Sequence, residues 1–189
     1  MKNLLSIVFV IGSTFLLNSQ SVNKLKKDLL NSIEEKTLEL TSLSDKIWEA
    51  AEVAFREDKS AEYLIEYAEA NGLTIERGLA GMPTAFTASY GKGKPVIGII
   101  GEFDALPGLS QTTAPYRDEL IEGGAGHGCG HNLFGTASLG AAIAIKELIE
   151  KGSIEGTVKF FGTPAEEKFF GKLWMIREGV FDDVDICMD

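Results

Sequence analysis

The residues best suited to chemistry lie in one glycine-rich run, Gly126-His127-Gly128-Cys129-Gly130-His131. This run holds both histidines of the 189-residue chain and one of its two cysteines. Imidazole and thiolate groups are preferred ligands of borderline-soft ions such as Zn²⁺. Alternate residues of an extended segment share a face, so Cys129 and His131 could reach one ion together. The alternative is a glycine-rich turn whose histidines only hydrogen-bond nearby carbonyl groups.

Acidic side chains follow two predicted strands. The β-branched and aromatic run 156–162 is typical of a strand, and Glu166 and Glu167 come shortly after it. The apolar run 95–100 is typical of a strand buried on both faces, and Asp104 follows its end. Open α/β sheets bind ligands at the carboxyl ends of their strands, so these acids are candidate site residues. Each acid taken alone would be explained better as a solvated loop carboxylate, but three predicted elements that end in acids or in His and Cys favour a site.

The rest of the pattern predicts the elements that must position these residues. The alternating segment 84–90, the Gly-Lys turn 91–94 and the strand 95–100 predict a β-hairpin. We therefore expect an α/β fold in which a mixed sheet with an N-terminal β-hairpin is flanked by helices. Apolar residues at helical spacing predict these helices over 22–55 with a break near 41–44, and over 60–71, 132–151 and 172–178.

Composition and charge exclude some classes of partner. With 44% hydrophobic and 24% charged residues, the chain has the composition of an ordinary globular domain. Its formal net charge of −10 argues against nucleic acid as a partner, because phosphate binding needs a basic face. The same charge argues against an anionic membrane surface.

The first 20 residues predict a secretory signal. Lys2 precedes an apolar run over 4–17, and small polar residues follow it. We expect the mature chain, residues 21–189, to be exported to the periplasm or secreted, with no membrane association after cleavage. An uncleaved N-terminal anchor is the alternative. Export would permit a Cys129–Cys187 disulfide, whereas the apolar segment 184–188 predicts a buried free thiol at Cys187.

Three motifs together resemble one family. Residues 101–107 (GEFDALP), 126–132 (GHGCGHN) and 162–167 (GTPAEE), in this order and spacing, resemble the metal-dependent amidohydrolases of the aminoacylase/carboxypeptidase type. The similarity covers roughly residues 44–189. It implies a zinc-exopeptidase-like catalytic domain that hydrolyses an amide bond in N-acyl or N-aroyl amino acids or dipeptides. The substrate would be a small molecule.

The resemblance also implies residue roles. Cys129 would bridge two divalent ions, Zn²⁺ or Mn²⁺, with His131 and Glu167 as further ligands. Glu166 would be the general base, and Asp104 would orient the site. His127 matches a position that is not usually a ligand.

The chain departs from the family pattern in two ways. Gly128 and Asn132 stand where the family more often has Ala and Asp, and no histidine follows His131 although members carry two more histidine ligands. Members also have a lid domain through which they dimerise. The resemblance thus implies that residues 21–189 are the N-terminal part of a catalytic domain, binding one ion or none, with a homodimer in the full-length form. The alternative is a non-catalytic metal-binding protein or a truncated relic.

Overall fold

Five strands form one mixed sheet in the order β1-β2-β4-β3-β5. The computed structural model describes residues 22–189, so the predicted signal segment lies outside the described residues. The strands are β1 (Thr74–Arg77), β2 (Phe86–Lys92), β3 (Val96–Glu102), β4 (Gly156–Thr163) and β5 (Ile186–Met188). β1, β2 and β4 pair antiparallel, whereas β3 pairs parallel with both β4 and β5.

The N-terminal β-hairpin exists, but its strands differ from those predicted. β1 and β2 form it, with Thr74 opposite Ser89. The predicted hairpin of β2 with β3 is wrong, because β4 lies between these two strands. The segment between β2 and β3 forms hydrogen bonds with β4 and does not close a hairpin turn. The Thr157 N–H donates to the Pro95 carbonyl at 2.9 Å, and the Thr157 hydroxyl donates to the Gly93 carbonyl at 2.8 Å.

Helices cover both faces of this sheet. The long helical segment predicted at the start of the described chain divides at Lys36, not near 41–44. The other predicted helices are confirmed to within two residues at either end. The helices are α1 (22–35), α2 (Thr37–Ala50), α3 (Asp58–Ala70), α4 (His131–Glu150), α5 (Glu166–Phe169) and α6 (Gly171–Arg177).

Two apolar cores lie on opposite faces of the sheet. Adjacent residues of β4 point to opposite faces, so Phe160 packs among α2, α3 and α4 whereas Phe161 packs with Met175 of α6. Both phenylalanines are fully buried. The sheet is therefore covered on both sides, which confirms the expected α/β architecture with a mixed sheet and flanking helices.

Helix α4 is the central helix of the larger core. Its 20 residues are apolar enough to span a membrane by length and composition, but Leu139 and Ile143 are buried against the sheet. Helix α4 is therefore a core helix of the described part of the chain.

Strand β5 is an exposed edge. The prediction that Cys187 is buried is wrong, since all three residues of β5 are exposed. The apolar segment does form a strand, but that strand pairs on one side only, with β3. Cys129 is also exposed, and both thiols are free, so the disulfide alternative is not formed.

Candidate metal centre

Two parallel strands deliver acidic residues to the same edge of the sheet. Glu102, the last residue of β3, is in register with Thr163, the last residue of β4. Asp104 follows the first strand by two residues and Glu166 follows the second by three. Because parallel strands end together, these carboxylates converge at one place.

The backbone after β4 turns sharply to bring both glutamates into the site. Adjacent side chains of an extended strand point in opposite directions, so Glu166 and Glu167 could not share a site if β4 simply continued. Ala165 adopts the left-handed conformation, with φ 59° and ψ 37°, and α5 begins at the next residue. In this arrangement Glu166 Oε2 lies 3.9 Å from His131 Nε2, and Glu167 Oε1 lies 3.9 Å from His131 Nδ1.

His131 is the centre of the cluster. It is the first residue of α4 and its side chain is only 5% exposed. Nδ1 lies 3.0 Å from Asp104 Oδ1, and Nε2 lies 2.9 Å from Glu102 Oε2. The other oxygen of Asp104 accepts a hydrogen bond from the Glu167 N–H at 3.0 Å. Asp104 thus ties the His131 ring to the backbone that carries Glu167.

These carboxylates control the protonation of His131. Burial lowers the pKa of the imidazole, but the hydrogen bonds to Asp104 and Glu102, together with their charges, outweigh burial and raise the pKa to about 11. The ring is therefore an imidazolium between two acids. A histidine must be neutral to bind a metal, so a bound cation would take the place of one ring proton.

Among residues 22–189, two groups of side chains have the composition of a metal site. Within each group the candidate ligand atoms lie within 4.8 Å of one another. One group is the set predicted from sequence, Cys129, His131 and Glu167; the other consists of Glu102, His131 and Glu166.

A divalent cation fits the first of these groups. Glu167 Oε1 is buried and has no hydrogen-bond partner within the described part of the chain. Burial raises the pKa of Glu167, and the negative charges of Asp104 and Glu166 raise it further. The positive charge of His131 acts in the opposite direction. A positive ion would satisfy the orphaned oxygen and offset the repulsion among the acids. The thiolate, imidazole and carboxylate set suits Zn²⁺.

Sequence reasoning did not single out Glu102, which contacts His131 at a shorter distance than either Glu166 or Glu167. Burial raises its pKa, but hydrogen bonds from His131 and Lys172 of α6 outweigh burial and keep the pKa below its ordinary value. Glu102 stands two residues before Asp104, and residues two apart in a strand share a face. That spacing was the available signal.

His127 and Asn132 are the polar residues of the motif 126–132 that are not candidate ligands. His127 belongs to neither ligand group; its Nε2 lies 3.1 Å from the Ile47 carbonyl, and burial lowers its pKa. Asn132 donates to the Ser44 hydroxyl at 3.0 Å and so links α4 to α2. Its side chain therefore fixes the helix that carries His131.

A cavity of about 180 Å³ adjoins the glycine-rich motif. His127 and Gly128 form part of its wall, next in sequence to Cys129. Trp48, Leu109 and Ile121 give the cavity an apolar wall. An apolar group of a ligand could lie there.

The comparison with known families agrees with this geometry. Residues 98–188 match the model of peptidase family M20/M25/M40. This part of the chain is therefore similar to that family. It contains all five of the predicted site residues, and the resemblance deduced from the three motifs is thereby confirmed.

Similarity to individual proteins extends over most of the chain. A p-aminobenzoyl-glutamate hydrolase subunit of Escherichia coli is 47% identical over 159 residues, which are 84% of this chain and 33% of that protein. A putative aminohydrolase structure from methicillin-resistant Staphylococcus aureus is 27% identical, with a TM-score of 0.73, and the match covers 85% of this chain and 41% of that one.

A third similar protein is a metal-binding peptidase. The structure of a dinuclear metal-binding peptidase of the M20 family from Bacillus subtilis is 26% identical with a TM-score of 0.64; the match covers 78% of this chain and 41% of that one. The chain spans about a third of the length of the first curated relatives it matches.

Proposed function

We propose that this chain is the N-terminal part of a metal-dependent hydrolase that cleaves an amide bond in N-acyl or N-aroyl amino acids or dipeptides. The observation that carries this proposal is the convergence of Cys129, His131 and Glu167 from two separate segments of the M20 sequence. The E. coli relative is named for p-aminobenzoyl-glutamate, an N-aroyl amino acid. An aromatic acyl group would also suit the apolar cavity wall of Trp48, Leu109 and Ile121.

The ligand chemistry favours a single ion at Cys129, His131 and Glu167. The thiolate favours Zn²⁺ over Mn²⁺, which prefers oxygen ligands. When bound, such an ion lowers the pKa of water to about 7 and polarises a substrate carbonyl. A second ion at Glu102, Glu166 and His131 would have to displace Lys172, whose ammonium group contacts Glu102.

The protein groups supply proton transfer and orientation. Glu166 is 36% exposed, so its carboxylate is open to solvent and can take a proton from an attacking water, then give it to the leaving amine. Asp104 is fully buried; it holds the His131 ring through Nδ1 and the Glu167 backbone through its other oxygen. This fixes the ring with Nε2 toward Glu102 and Glu166.

A pair of isosteric substitutions tests these roles in the whole protein. Glu166→Gln should keep Zn²⁺ binding but lower kcat on p-aminobenzoyl-glutamate by about 10²–10⁴-fold, since it removes the proton acceptor. Glu167→Gln should lose metal affinity and hydrolysis together. Undiminished turnover by Glu166→Gln would rule out its role as the base.

A non-catalytic metal-binding protein is the second candidate. The sequence contains only the two histidines at 127 and 131, so this chain by itself supplies one imidazole to either ligand group. If the whole protein binds Zn²⁺ at these residues but hydrolyses no N-acyl or N-aroyl amino acid, this second candidate replaces the first.

We also propose that the protein is exported to the periplasm or secreted and that its full-length form is a homodimer. Export is supported by the order of residues in the first 20 positions: a positive charge, then an apolar run, then small polar residues. Determining the N-terminus of the mature protein tests export: cleavage near residue 20 supports it, whereas a retained Met1 contradicts it. Light scattering of the purified full-length protein tests the dimer.

A further inference from the structure

Glu57 is a buried acid that the proposed chemistry does not use. It precedes α3 directly, and it is completely inaccessible to solvent. Oε1 accepts a hydrogen bond from the Ala165 N–H at 2.8 Å, and Oε2 accepts one from the Thr84 hydroxyl at 3.4 Å. Both partners are neutral, so neither offsets by charge the cost of burying a carboxylate. A residue kept at such a cost needs an explanation.

The backbone that Glu57 holds is the turn that presents the two site glutamates. Ala165 is in the left-handed region, which is uncommon for a residue other than glycine. It is followed at once by Glu166 and Glu167, which open the four-residue helix α5. Its N–H hydrogen bond to Glu57 joins positions that are 108 residues apart in sequence.

A second carboxylate holds the other end of the same turn. Asp104 Oδ2 accepts from the Glu167 N–H, two residues after the N–H that Glu57 accepts. The peptide units of residues 165–167 are therefore held between two buried acids. Asp104 also contacts His131, whereas Glu57 approaches the turn from the side of α3 and Thr84.

We propose that Glu57 is a positioning residue, which fixes the Ala165 turn and thereby directs Glu166 and Glu167 toward His131. The expected effect on kcat rests on the proposed metal-dependent hydrolysis. The expected effect on metal affinity does not, so a metal-binding measurement tests the proposal separately. Small displacements of a reacting group lower rates strongly, so a loosened turn should affect both metal affinity and kcat.

The length of the side chain, more than its charge, should matter for this role. Burial raises the pKa of Glu57 to about 7, the hydrogen bond from the Ala165 N–H opposes that rise, and the charge of Asp104 adds to it. Both the neutral and the ionised carboxyl group offer an oxygen to the Ala165 N–H, as does the amide of glutamine. Aspartate keeps the charge but is one methylene shorter.

The test compares Glu57→Gln and Glu57→Asp in the whole protein. Glu57→Asp should weaken Zn²⁺ binding by about 10–100-fold and lower kcat with little change in KM. Glu57→Gln should remain within about threefold of wild type in both quantities, because its amide oxygen can still accept the Ala165 N–H.

Glu52→Asp is the matched control. Glu52 also accepts backbone N–H bonds, from Lys59 at 3.1 Å and Ser60 at 2.8 Å, but these lie in α3 and not in the site turn. This variant should lower the melting temperature without changing Zn²⁺ affinity.

Three results would overturn the proposal: a folded Glu57→Asp with wild-type Zn²⁺ affinity, a Glu57→Gln as impaired as Glu57→Asp, or an equal loss of affinity in Glu52→Asp.

If Glu57→Asp does not fold, hydrogen exchange of the Ala165 amide tests the proposal instead. Strong protection in wild type and Glu57→Gln supports the bond, and exchange as fast as in an exposed loop contradicts it. If wild type binds Zn²⁺ without hydrolysing any substrate, the proposed function fails while the affinity comparison still stands.

Discussion

Asp104 Oδ1 lies 3.0 Å from Nδ1 of His131, and both side chains are buried. Metal-binding histidines commonly donate their second ring N–H to a carboxylate, which fixes the ring and raises its basicity. The pair therefore has the arrangement of a ligand and the acid that orients it. The same acid accepts the backbone N–H of Glu167, so one carboxylate controls two members of the predicted ligand set.

Asp104→Asn should weaken Zn²⁺ binding by about 10–100-fold. The amide oxygen of asparagine accepts the His131 ring N–H more weakly than a carboxylate does, and it carries no negative charge to balance the charge of the ring. Isothermal titration with Zn²⁺ measures the effect. Asp45→Asn, at an exposed position on α2, is the control and should bind Zn²⁺ like wild type. Equal affinities in all three proteins would mean that Asp104 does not tune the ligand.

The charge of Glu57 should make the fold less stable as the pH rises. Its pKa is about 7 in the folded chain against an ordinary 4.5, so folding favours the neutral form. The stability that depends on the neutral carboxyl is fully present below pH 4.5 and is lost as the pH rises through 7. Glutamine is neutral throughout, so Glu57→Gln should gain about 3 kcal/mol relative to wild type over this interval.

Urea unfolding with a chelator present, at pH 4.5 and at pH 8, checks this difference between the two proteins. Comparing variant with wild type cancels the titration of the other acids. A difference in unfolding free energy that is the same at both pH values would show that Glu57 keeps an ordinary pKa.

Two glycines of the site motif should respond differently to alanine. A Cβ on Gly126 would lie 2.1 Å from the Leu109 carbonyl oxygen, so the backbone would have to move. A Cβ on Gly128 would lie 2.6 Å from Leu109 Cδ1, the end of a side chain that is 46% exposed and can rotate away. We expect Gly126→Ala to cost about 1–3 kcal/mol of unfolding free energy and Gly128→Ala less than about 1 kcal/mol.

Chemical denaturation of both variants provides the measurement. Equal destabilisation by the two alanines would contradict the close approach of the Leu109 backbone to Gly126.

The convergence of the site could be predicted from sequence because it follows from local signals. Asp104 and Glu167 each follow a segment that is clearly a strand, and parallel strands end at one edge of a sheet. His131 lies at a helix start that is marked by glycines. These local patterns marked Cys129, His131 and Glu167 as candidate site residues, and the family resemblance implied that they form one ligand set; the structure brings the three together.

The strand order could not be predicted in the same way. The Gly-Lys turn at 91–94 favours pairing of its neighbours, but β4, some 60 residues later, inserts between them. Pairing between distant strands depends on side chains across the sheet, for which no local pattern exists. The contact of Glu57 with Ala165 is invisible for the same reason, since it joins positions 108 residues apart.

X-ray absorption spectroscopy of the Zn²⁺-loaded protein examines the proposed coordination directly. Coordination by Cys129, His131 and Glu167 requires one sulfur at about 2.3 Å and nitrogen or oxygen ligands at about 2.0–2.2 Å. The sulfur signal should disappear in Cys129→Ser and persist in Cys187→Ser. A zinc spectrum containing only nitrogen and oxygen ligands, or one whose sulfur is lost with Cys187, would contradict the assignment of this metal centre.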